Sequence, residues 1–170
     1  GSRSVLLVAF YAALFSIVFA CGIGITAGLV GGKVDEILML ITNIVLTMPT
    51  LPVTMVLSMV INVSNDILFG LVLSLWSWAG LAKAIRSQVL VIRNKDFIEA
   101  SRVMGISTIN IIIKDVVPNI TSFIAINFIA IMKGAIMTSV SLMVLGLVPF
   151  KGSHWGMMIQ MAMSQSAVLY

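Results

Sequence analysis

The chain is 170 residues long, carries a net charge of +4, and is 60% hydrophobic but only 9% charged. That balance excludes a soluble globular domain and places the chain among integral membrane proteins, with room for four or five crossings at about 20 residues each. Nucleic-acid binding is excluded as well, because the positive charge gathers in one stretch between apolar runs and no basic patch interleaves with aromatics. The single Cys21 lies within an apolar run and offers no disulfide framework, and the twelve methionines are scattered through such runs as packing residues rather than as a metal-binding box.

The spacing of apolar runs predicts an all-α, polytopic transmembrane helical bundle. The first span, 5–30, is free of charge and long enough to cross with some tilt. Within and just beyond it, Gly24, Gly28 and Gly32 fall four apart, a spacing that lets a neighbouring helix approach closely. Gly31-Gly32-Lys33, followed by Asp35 and Glu36, reads as a tight turn into the second span, 37–63. Pro49 and Pro52 interrupt that span, each lacking an amide hydrogen and crowding the carbonyl four residues back, on Val45 and Met48. A kink over Thr47–Val53, turned toward protein or a cavity rather than lipid, is the expectation. It reads equally as a gate beside a translocation path and as a static bend. Asn62–Asp66 is a polar turn without basic residues and suits the outer face; the third span, 67–92, runs on as helix through Lys83 and Arg86.

The polar stretch that follows is the most informative part of the chain. Lys83, Arg86, Arg93, Lys95 and Arg102 gather there with Asp96 and Glu99, and so many basic residues assign Lys83–Asp115 to the cytoplasm. Asp96 is the expected N-cap of a short helix, with Glu99 three residues later completing a capping box and favouring the positive end of the helix dipole. Gly105 reads as the helix stop, Ser107 or Thr108 as the cap of a second helix, and Pro118 as the point where the chain bends into the next apolar run. Two short helices joined at a glycine, over 94–115, make a compact docking knob.

The fourth span, 116–140, contains Lys133, which either faces a pore or snorkels toward the outer surface. Beyond it come Ser139–Val148, Pro149 and His154-Trp155-Gly156, with the lone His154 read as a surface residue, and then a modestly amphipathic Met157–Tyr170. No catalytic motif, metal cluster or cofactor site is legible. The only Gly-Lys pair, Gly32-Lys33, is followed by Val34 rather than Ser or Thr, so no phosphate-binding loop is present. The spans also lack the acidic residues that mark ion-coupled carriers. Energy for any transport must therefore come from a partner.

Glu99-Ala100-Ser101, three residues, then Gly105, with Pro118 thirteen further on, resembles the EAA loop of the membrane-spanning permease subunits of binding-protein-dependent ABC importers. Glu99, Ala100, Gly105 and Pro118 match that frame by identity, and Ser101 and Val117 are conservative replacements. Asp115 stands where the general pattern has an aliphatic residue, a departure found in the peptide/nickel branch. The Ser139–Val148 and Trp155-Gly156 segments are similar to that branch's outer segment, in its second, C-type permease. The resemblance implies a type I importer permease core with one further helix at each end. It also implies two ATP-binding cassette subunits, a second permease subunit and an extracytoplasmic solute-binding protein as partners, with lipid around the spans and no bound cofactor. Asp96, Glu99, Ala100, Ser101, Gly105 and Pro118 become the ATPase-coupling residues, and Pro49, Pro52 and Lys133 candidates for a gate. The substrate class implied is di- or oligopeptide, and the location a plasma or inner membrane. The competing reading is a fragment of an ion-coupled carrier or channel in which the polar stretch is only a linker.

Overall fold

The computed structural model describes residues 2–61, 65–146 and 154–165, and all regular structure among them is helical. In chain order these are α1 (Ser2–Val30), α2 (Gly32–Thr47), α3 (Thr50–Val60), α4 (Asp66–Arg93), α5 (Asp96–Val103), α6 (Thr108–Ile111), a π-helical turn (Ile112–Val116), α7 (Val117–Val144) and α8 (Trp155–Ser164). Three stretches, Ser2–Val30, Asp66–Arg93 and Thr108–Val144, are each long and apolar enough to cross a membrane, and α2 with α3 makes a fourth if the pair is taken together. The end of the second apolar run at Val63, most of the Asn62–Asp66 turn, and Pro149 with Lys151 lie outside the described residues.

The contacts divide the chain into two units. The first comprises Gly1–Ser16, Met48–Ser77 and Ile129–Tyr170. Its core brings Val8, Ala9 and Ala12 of α1 against Phe69 and Leu73 of α4 and Ala135, Leu142 and Met143 of α7, all buried. Because lipid is as apolar as these side chains, such a core is held by close van der Waals contact more than by exclusion of water. Small residues serve that end: a Cβ on Gly156 would lie 2.5 Å from Cβ of Met143, so α8 sits directly on α7. The same packing encloses His154, the N-cap of α8, whose Nδ1 accepts from the Gly156 amide at 3.4 Å. His154 is fully buried, which corrects the surface reading: the histidine is needed where α8 begins, and α8 begins against α7.

The second unit comprises Ile17–Thr47 and Trp78–Phe128. Gly24 and Gly28 of α1 press on α4, where an added Cβ would meet the Ala82 carbonyl at 2.6 Å and the Val89 side chain at 2.7 Å. Gly32 does not share that face. It follows Gly31 in a turn where both residues have positive φ (70° and 56°), and it opens α2. Polar groups fasten the same helices. Both oxygens of Asp35 accept from the Arg86 guanidinium, Lys83 donates to Asn43 at 2.8 Å, and Arg93 donates to the Gly28 carbonyl at 3.2 Å. Lys83, Arg86 and Arg93 are thus tied to α1 and α2.

The expected kink is present at Pro49 and Pro52, where the chain bends by 80°, while the reading of Pro118 is corrected. The Pro49/Pro52 kink is a full break: α2 stops at Thr47, Pro49 is the extended N-cap of α3 (φ −69°, ψ 105°), and Pro52 lies in the first turn of α3. A first-turn residue has no intrahelical use for its amide, so the missing hydrogen costs little there. Residues 48–52 are exposed within the described chain, and Thr50 lines a small cleft with residues of α4 and α7. Pro118, for its part, neither bends nor starts a helix. It is the second residue of α7 inside continuous helix from Thr108 to Val144. The π-helical turn just before it relaxes the crowding a proline would impose on an ordinary α-turn.

Candidate functional site

The knob forms from purely local instructions. Lys95, extended (φ −85°, ψ 143°), is the N-cap of α5, and its carbonyl accepts from Ile98 at 3.0 Å and Glu99 at 3.3 Å. Asp96 is therefore the first helical residue and not the cap, and no side chain caps this end. The capping box is absent because the helix starts one residue earlier than its sequence suggests. Asp96 and Glu99 still occupy the first turn, where the dipole favours carboxylates.

The other end of α5 closes in a Schellman motif. Gly105 has φ 71°, its amide donates to the Arg102 carbonyl at 3.0 Å, and the Ile106 amide donates to the Ser101 carbonyl at 3.1 Å. A Cβ at Gly105 would meet nothing within 4 Å, so the glycine is required by backbone conformation and not by space. Ser107 (φ −60°, ψ 145°) then caps α6 by accepting from the Asn110 amide at 3.4 Å, as the sequence predicts.

Glu99, Ala100 and Gly105 are exposed, whereas Ser101 is buried beside the base of the knob and donates to Oδ2 of Asp115 at 3.3 Å. Ile98, Ile111 and Val116 are the buried apolar groups of the same region. The outer side is strongly apolar for an exposed surface: Val103 is 84% and Met104 69% exposed, with Phe97 and Ile109 also uncovered. A cleft of about 560 Å³ lined by Arg93, Asn94, Glu99, Arg102 and Val103 opens beside α5. Another of about 430 Å³ is lined by Leu29, Val30, Arg102, Ile106, Thr108 and Ile111. Exposed apolar side chains rimmed by charge are the usual composition of a protein-binding surface.

The structure thus assembles Asp96, Glu99, Ala100, Ser101 and Gly105 in one knob, with Pro118 at the start of the helix that carries it. Pro49, Pro52 and Lys133 belong to the first unit. Lys133 is exposed on α7. A cleft of about 150 Å³ near the start of α3 is lined by the hydroxyl-bearing Thr50, Thr54, Ser77 and Thr138 together with Leu73, Ile131, Gly134 and Ala135. Sequence reasoning missed Asp115 as a partner of Ser101 and the pairing of Arg86 with Asp35. The i, i+3, i+10 placement of Lys83, Arg86 and Arg93 on one side of α4 was the available signal for the second.

Residues 20–170 match the family described as binding-protein-dependent transport system inner membrane component. The chain is 32% identical over 149 residues to the dipeptide transport system permease protein DppC of Lactococcus lactis subsp. cremoris, covering 84% of this chain and 43% of that protein. It is 30% identical to the oligopeptide transport system permease proteins OppC of Bacillus subtilis and of Haemophilus influenzae, covering 93% and 99% of this chain and 52% and 54% of theirs. It spans about half the length of the curated relatives it matches. With a multi-helix apolar architecture and a family match over nearly its whole length, the chain belongs to the inner membrane components of binding-protein-dependent transport systems.

Proposed function

We propose that this chain is part of the membrane-spanning subunit of an ATP-driven importer, and that its cargo is di- or oligopeptide. The cargo reading draws on the relatives, which are named as dipeptide and oligopeptide transport permeases. The observation that carries the mechanism is the knob itself: a short helix with a rigid Schellman end that presents Glu99, Arg102, Val103 and Met104 to a partner. Two ATPase subunits on the cytoplasmic side would take α5 into a groove, and their closure would rock the spans between inward- and outward-open states. A second permease subunit would complete the pathway, and an extracytoplasmic binding protein would deliver the peptide. ATP hydrolysis belongs to the partners, and this chain needs no cofactor of its own. In this reading, the Met48–Pro52 break and Lys133 belong to the pathway or its gate. Coupling requires that α5 make different contact energies in the two states, since contact alone shifts no equilibrium.

The test is co-purification of the full-length protein with its ATPase subunits, comparing wild type with Glu99→Arg and Gly105→Trp, alongside peptide uptake. Loss of the ATPase in both variants with normal membrane insertion is expected. Equal retention would remove the knob from the coupling site, and wild type that brings down no ATPase would overturn the importer reading altogether.

A further inference from the structure

Ser101 of the knob is buried, and its side chain is hydrogen-bonded to a residue outside α5. Its hydroxyl reaches Asp115, which lies within the π-helical turn that joins α6 to α7. The buried positions over residues 108–120 of this helix are Ile111, Val116 and Ile120, a spacing of five and then four. A regular α-helix would repeat at three or four, so the extra residue of the π turn is what returns Val116 to the face used by Ile111. It also leaves Asp115 half-buried beside that face, within reach of Ser101. Asp115 is held at a second point, where the side-chain amide of Asn119 donates to its carbonyl at 2.6 Å.

Without the Ser101–Asp115 bond, the buried Ile98 still packs in this region, but no side-chain hydrogen bond among the described residues fixes the direction of α5, and its covalent link is the turn at Met104–Ser107, whose pivot is the positive-φ Gly105. A force applied to α5 would then be absorbed as rotation about that turn. With the bond, α5 is braced directly on the helix that continues to Val144. We infer that Asp115 is a positioning residue of the knob, whose carboxylate braces α5 through Ser101 so that displacement of α5 is delivered to α7. This rests on the importer reading above and assigns Asp115 to transmission rather than to docking.

The experiment uses the assembled full-length transporter in proteoliposomes and reads three quantities: ATPase subunits retained, ATP hydrolysed, and peptide taken up per ATP. Asp115→Leu should keep the ATPase subunits while peptide per ATP falls roughly threefold to tenfold, the range expected for one lost hydrogen bond. Asp115→Asn keeps an accepting oxygen and should restore most of the ratio. Ser101→Ala should show the same fall, and the double variant should be no worse than either single one, because both remove one contact. An unchanged ratio in Asp115→Leu, or additive losses in the double variant, overturns the inference. So does loss of the ATPase subunits in Asp115→Leu, which would make Asp115 part of the dock. Failure of wild type to retain any ATPase is a different result, and it overturns the importer reading on which the inference stands.

Discussion

At Gly105 the backbone, not the surroundings, dictates the residue. Its φ of 71° costs an L side chain about 1–2 kcal/mol, least for Asn, while the space around it is open. Gly105→Asn should therefore keep the ATPase bound, and Gly105→Val should weaken it by roughly fivefold to thirtyfold in a titration of ATPase against permease. Gly28 obeys the opposite rule, being limited by space. Gly28→Leu would drive a side chain into Val89 and the Arg86 carbonyl, and should lower the temperature of half-inactivation in detergent. His154 supplies a pH dependence. Burial holds its imidazole below the ordinary range, with the Asp66 charge opposing, so folding favours the neutral form. The unfolded chain takes up that proton first, so the stability His154 contributes is whole above about pH 6.5 and is lost as pH falls from there toward the folded value. His154→Asn, which can still cap α8, should flatten the acid side of a detergent stability profile; an unchanged slope would assign the dependence to other groups.

At the scale of elements, what could be read in advance is what is decided locally. Gly105 and Ser107 act within four residues of themselves, and both were legible. Asp96 was misplaced by one because cap preference cannot separate an N-cap from a first-turn residue when both favour carboxylate. The π turn was not legible. It answers to which of Ile111, Val116 and Ile120 must be buried, and Pro118 hinted at a bend only because a proline in an α-turn would crowd its neighbour. Likewise Arg86 and Asp35 stand 51 residues apart, and nothing local pairs them. A shortened π turn tests this account. Deleting Ile113 leaves Ile111 and Val116 four apart, the α-helical repeat, so the helix should become regular with the same face buried and the protein should keep its stability in detergent; a marked loss of stability would give the extra residue another role.

For the whole molecule, composition and periodicity sufficed to read an all-helical membrane protein, because apolar length and charge position are summed properties. The pairing of helices within each unit was less accessible, except where glycines at four-residue spacing announced the contact of α1 with α4. The break between α2 and α3 has a further consequence. Pro49 and Pro52 have no amide hydrogen to offer the carbonyls of Val45 and Met48, and the chain there is exposed. Beside the start of α3, the threonine- and serine-lined cleft has space for several solvent molecules. Hydration at this depth would make the segment an isotopic leak in an otherwise sealed bilayer protein. The amides of Thr50 and Leu51, in the first turn of α3, should take up deuterium within seconds, while those in the middle of α1 stay protonated for hours.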